Sequence, residues 1–170
     1  MIGYIVAQGR GASDRIMADA AALLSAHGLR LAGAVQHNPE NAAGRRCHMD
    51  LQLLASGQRL RISQDLGPHA VACRLNASAL AQAVGLVEYD LAQGAEALVL
   101  NKFAKQEAEG RGWRSVIAVA VSADIPVVMA VSADSLAAFH AYAGDMAQGL
   151  PADPKAICDW VLAQHAQAAS

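Results

Sequence analysis

The segment from Met1 to Leu24 constrains this chain most: an apolar run, Met1-Ile2-Gly3-Tyr4-Ile5-Val6, a glycine-rich turn, Ala7-Gln8-Gly9-Arg10-Gly11-Ala12-Ser13-Asp14, then a helical pattern through Leu24. Strand, glycine turn and helix together make an anion cradle, because the turn exposes backbone N–H groups and the helix start carries partial positive charge. Gly9 and Gly11 let backbone approach a ligand, and Ser13 adds a hydroxyl. The match to the phosphate-loop pattern Gly-x4-Gly-Lys-Ser/Thr is incomplete, because the lysine is absent, the two glycines are wrongly spaced and Asp14 places a carboxylate where phosphate would be repelled. The alternative is a plain tight turn in which Ser13 or Asp14 caps the helix.

Downstream the alternation of strand and helix repeats. His27-Gly28 stops the first helix and Leu29 to Gln36 reads as a second strand, giving a β-α-β unit. Residues 37–46 form a polar loop. An antiparallel hairpin is predicted over about 47–63, with its turn at Ala55-Ser56-Gly57-Gln58 and alternation through Arg59-Leu60-Arg61-Ile62-Ser63. A second polar loop, 64–69, leads through Val71 to Leu75 into a helix capped by Asn76 or Ser78 and running to about Gln93. Ala97-Leu98-Val99-Leu100 is a short, fully apolar strand delivering the charged segment Asn101 to Gly112. A helix over 113–121, a strand over 125–131 and helices near 135–142 and 154–165 complete the pattern. The fold class is α/β: a three-layer, mostly parallel sheet carrying an antiparallel hairpin, in one domain spanning 1–170.

Composition narrows the function classes. Apolar residues make up 54% of the 170 and charged residues 16%, but the excess is alanine from helices, and no run reaches the length of a membrane span. The N-terminal run reads as a buried strand rather than an export signal, so a cytoplasmic protein is expected. A net charge of −2, without a basic cluster longer than Arg45-Arg46, excludes a nucleic-acid footprint. Three unpaired cysteines, Cys47, Cys73 and Cys158, read as free thiols. Cys47 and Cys73, with His37 and His48, are the only soft-metal set, and adjacency of Cys47 and His48 sends the two side chains to opposite faces of a strand.

In open α/β sheets ligands gather at the C-terminal strand ends, which selects loops 8–14, 37–46 and 101–112 together. The third loop offers Lys102, Lys105 and Arg111 as anion partners and Glu107 as holder of Mg²⁺ or of an attacking water. The plainer alternative is a solvated helix start in which Lys105 and Glu109 pair at i, i+4.

The segments Cys47-His48-Met49-Asp50-Leu51, Gly57 to Gly67, Ala72-Cys73-Arg74-Leu75-Asn76 and Asn101 to Gly112, the last being the most specific, resemble a bacterial family of uncharacterised proteins often encoded beside molybdate transport genes. The resemblance covers about residues 1–150. More distantly, the order of parts is similar to small P-loop nucleoside triphosphatases of the thermophilic THEP type. That resemblance places the phosphate loop at Gln8 to Asp14 and implies a metal-binding acid and a catalytic glutamate within Asn101 to Glu107. Asn101 replaces the acid, and Glu107 alone fits.

The expectation is therefore a binding protein on a degenerate P-loop scaffold, holding a small oxyanion such as molybdate or tungstate through Gly9, Arg10, Gly11, Ser13, Arg74, Asn101, Lys102, Lys105 and Arg111. Loss of the lysine removes the charge that compensates a triphosphate, whereas a small anion needs only amides and one arginine. The first alternative is a nucleoside triphosphatase with an atypical loop, using Mg²⁺ and Glu107. The second is a partner-binding module without catalysis. Alanine-rich helix faces suit a homo-oligomer under all three.

Overall fold

The computed structural model describes residues 1–9, 11–38, 48–64 and 74–168. Apolar runs become parallel strands and the alanine-rich periodic segments become the helices over them. The chain runs β1 (Ile2–Ile5), α1 (Ala12–Ala26), β2 (Leu31–His37), then the hairpin β3 (Asp50–Leu53) and β4 (Arg59–Arg61). Leu53 N–H donates to the Gln58 carbonyl and Gly57 N–H to that of Leu53, each at 2.8 Å, closing the turn where its residues predicted it. Cys47, the expected first residue of this insertion, lies outside the described residues.

The second arm is shorter than its alternation implied. Ile62 is buried; its N–H donates to Met49 O at 2.8 Å while its carbonyl accepts from Asn76 N at 2.7 Å, so the chain leaves the hairpin there. Beyond it, β5 (Ser63–Gln64) pairs antiparallel with β6 (Arg74–Leu75) in a separate two-stranded sheet. Helix α2 (Ala77–Ala92) begins at Asn76, whose Oδ1 accepts from Ser78 N at 3.1 Å and Ala79 N at 3.2 Å, the cap expected of that residue.

Then come β7 (Ala97–Phe103), α3 (Lys105–Ala108), α4 (Arg114–Ser122), β8 (Val127–Val131), α5 (Leu136–Ala143), β9 (Ala147–Gly149) and α6 (Pro154–Ala168). Strand β8 starts two residues after its apolar run because Pro126 has no N–H to give the ladder; its carbonyl still accepts from Leu98 N at 3.0 Å. Strand β9 carries no apolar signal of its own and is recruited by parallel pairing with β1.

The seven-stranded sheet has the order β4-β3-β2-β7-β8-β1-β9, parallel throughout except for the β3–β4 hairpin at one edge. Period-two alternation divides each central strand between two cores. Leu98 and Leu100 of β7 face α2, α4 and α5, packing with Leu80, Ala83, Val116, Ile117 and Phe139. Ala97 and Val99 face α1 and α6, packing with Met17, Ala20, Leu24, Ile157 and Val161. The result is the expected three-layer α/β architecture, and every residue of β8 is buried, as a strand covered on both faces must be.

Candidate functional site

The glycine turn ends in a helix cap of a different kind from either predicted one. Gly11, at φ 71°, is the N-cap of α1, and neither Ser13 nor Asp14 caps it; both lie inside the first turn. The left-handed conformation is one that glycine adopts without strain. Because the backbone turns by itself, the Asp14 side chain is released from capping and enters the protein.

There it joins three strand tips. Asn101, near the end of β7, donates from Nδ2 to Asp14 Oδ1 at 2.7 Å. Asn38, just past β2, donates from Nδ2 to Asp14 Oδ2 at 2.8 Å, and its own Oδ1 accepts from Gln36 Nε2 at 2.8 Å. Thus the turn after β1 and the ends of β2 and β7 converge, as the switch-point rule requires, but they converge on a carboxylate. Asp14 is 9% exposed and Asn101 2%. Asn101 Oδ1 is buried without a hydrogen-bond partner, and Asp14 forms no ion pair among the described residues.

The helix start also supplies a register that the sequence alone obscured. With Gly11 taken as the last glycine of the phosphate-loop pattern, Val6 stands at the first glycine, Ala12 at the lysine and Ser13 at the hydroxyl residue. Spacing is thereby restored. The two groups that matter most for a nucleotide, the flexible first glycine and the ammonium, are replaced by side chains that supply neither. Magnesium fits no better: the strand position offers an amide whose N–H₂ already donates to Asp14, and no group of three or more His, Cys, Asp or Glu is placed for a metal among the described residues.

Strand β7 runs to Phe103, so Asn101 and Lys102 belong to the strand rather than to a loop. Glu107 is 3% exposed and binds backbone through both oxygens, Oε2 accepting from Ala104 N at 2.9 Å and Oε1 from Trp113 N at 3.1 Å. Burial holds its carboxyl above the ordinary value of 4.5, with the N–H groups of Ala104 and Trp113 pulling the other way. The carboxylate ties the 104–113 segment together. Around it the charges close on themselves: Lys105 Nζ lies 3.9 Å from Glu109, while Arg111 pairs with Glu109 and donates from Nε to Gln106 Oε1 at 3.2 Å. The i, i+4 pair weighed from the sequence is therefore present.

Other candidates are more scattered. Gly9 is exposed, Ser13 and Lys102 are half-buried, and Arg74 is exposed on β6, in the small separate sheet. Arg10, Cys47 and Cys73 lie outside the described residues. Asn38, Gln36 and Arg114 were not among the sequence candidates. Arg114 lies over the Tyr142 ring at 4.3 Å and donates from Nη1 to Glu107 O at 3.4 Å. The only prior signal for Asn38 was its place in a polar segment after an apolar strand.

Residues 2–160 match the family described as "Protein of unknown function (DUF2478)". The chain belongs to this family. This DUF2478 protein is also similar to part of a larger one: over 147 residues it is 37% identical to the "Molybdenum import ATP-binding protein ModC 2" of Bradyrhizobium diazoefficiens, covering 86% of this chain and 16% of that one. The chain thus spans about one sixth of the length of that curated relative. Among solved structures, a human cancer-related nucleoside triphosphatase superposes with a TM-score of 0.68 over 99% of this chain and 98% of its own, at 14% identity. That likeness establishes for this DUF2478 protein a P-loop-like α/β fold.

Proposed function

We propose that this protein is a binding module on a P-loop-derived scaffold that does not hydrolyse nucleotide and that works beside molybdenum-import machinery. The observation that carries the first half is the Asp14 node: a buried carboxylate at the meeting point of three strand tips, held by Asn101 and Asn38. A triphosphate brought to the same helix start would meet that charge in a weakly screening environment, with Ala12 where an ammonium would offset it. Glu107 is unsuited to activating water, since both its oxygens already hold backbone N–H groups.

The same charge weighs against molybdate or tungstate at the turn, while Lys105 and Arg111 lie on the exposed face of the 104–113 segment beside Glu109. A binding role without catalysis is thus the reading best supported. Support for the second half comes from the curated relative, in which a stretch like this chain forms part of a longer polypeptide named for molybdenum import.

Two measurements test the proposal. Incubation with ATP or GTP and magnesium should release no phosphate above background, and calorimetric titration with millimolar nucleotide, molybdate or tungstate should give no saturable heat. Phosphate release that disappears in Glu107→Gln would overturn the reading in favour of hydrolysis. Separately, co-expression with the molybdenum-import ATP-binding protein of the same cell should give a complex on size exclusion; independent elution would remove the assignment to import.

A further inference from the structure

The Asp14 node leaves hydrogen-bonding capacity unused. A carboxylate accepts about four hydrogen bonds, whereas among the described residues Asp14 accepts two, from Asn101 and Asn38. Asn101 Oδ1 accepts none, although the residue is almost wholly buried. Its amide cannot be turned to satisfy the oxygen, since Oδ1 would then face Asp14 Oδ1 in place of the donated N–H. A buried acceptor left unpaired is costly in a folded protein and is an exception that calls for a partner. Each amide nitrogen keeps a second N–H beyond the one given to Asp14, but the one buried polar atom wholly without a partner among the described residues is the acceptor Asn101 Oδ1, and Asp14 beside it has no ion-pair partner among them.

From these two observations we infer that Asp14 and Asn101 form a receptor for a protonated nitrogen, an organic ammonium or guanidinium group. Such a group brings several N–H donors and one positive charge, matching both deficits at once. A metal cation matches them poorly, for Mg²⁺ and Ca²⁺ gather six or more oxygens, and no group of three or more His, Cys, Asp or Glu is placed to hold one among the described residues. The position agrees with the general placement of ligands at C-terminal strand ends, where a few convergent polar groups orient the occupant. The inference rests on the binding-module reading and specifies what its site takes.

The test monitors the Asn101 side-chain amide by NMR during titration with methylammonium and guanidinium chloride at millimolar concentration, against sodium chloride of equal ionic strength. A saturable, residue-specific shift is expected with either nitrogen cation and none with sodium molybdate. Asp14→Asn should weaken binding at least about tenfold. Because that variant alters a buried group, Asn101→Ala provides a second arm: it keeps the carboxylate, removes the orphan acceptor and should weaken the shifts of neighbouring backbone amides comparably. Absence of a saturable shift, unchanged binding in both variants, or tighter binding of magnesium than of either nitrogen cation would overturn the inference. Nucleotide turnover would sink the proposed function yet leave this titration unaffected, so the two failures are distinguishable.

Discussion

Gly112 and Glu107 share one space: a β-carbon on Gly112 would fall inside the Glu107 carboxyl group, whose Oε1 is engaged by the N–H of Trp113. Gly112 also sits at φ 62°, a conformation costly for residues with a side chain. Replacement therefore displaces the carboxylate as well as straining the backbone. Gly112→Ala is expected to lower stability by about 2 kcal/mol or more, read as a lower urea midpoint with an unchanged slope. A loss within measurement error would show that Glu107 is not held against this turn.

Glu107→Gln tests the same knot from its other side. A glutamine offers one acceptor and one donor group where two backbone N–H groups both require acceptors, so a loss of about 1–3 kcal/mol is expected at neutral pH. The pH profile should separate the two proteins further. Burial raises the folded pKa of Glu107 above 4.5, so on acidification the folded state takes up this proton before the unfolded chain does. The resulting increment of stability is absent above the folded pKa, grows as pH falls through it, and is complete below the unfolded value. Wild type minus Glu107→Gln, measured by urea denaturation across this range, should move in favour of wild type on acidification; a flat difference would contradict the assigned shift.

Asn101→Asp should convert the Asp14 node from a hydrogen bond into a repulsive pair. Two carboxyl groups at this separation cannot both ionise without a large mutual cost, so a loss of about 2 kcal/mol or more is expected at neutral pH. The deficit should shrink in acid, where the pair shares a proton. If the thermal midpoints of variant and wild type run parallel from neutral pH into acid, Asp14 does not face Asn101 as described.

Ala12→Lys examines the register that the helix start assigns to the phosphate loop. Combined with Asp14→Ser, which removes the opposing carboxylate, it should give saturable ATP binding by calorimetry at concentrations where wild type gives none. No gain in a double variant that remains folded would mean that Ala12 does not occupy the lysine position.

The sequence by itself determined the central strands and the main helices, because these depend on interactions over a few residues; β9 and the small β5–β6 sheet arise from pairing with distant segments. The fully apolar 97–100 and 127–131 runs could be accommodated only in strands covered on both faces. The Asn76 cap and the Gly57 turn are likewise local in origin. The Lys105–Glu109 pair was legible as an alternative for the same reason. Only the tertiary structure decided the site. Asp14 meets Asn38 across 24 positions of sequence and Asn101 across 87, and neither contact exists until β1, β2 and β7 take their places in one sheet. From the sequence Asp14 read as a cap or as an obstacle to phosphate. Burial beside two amides makes it the centre of the cluster, since hydrogen bonds satisfied away from water govern where a carboxylate can stay.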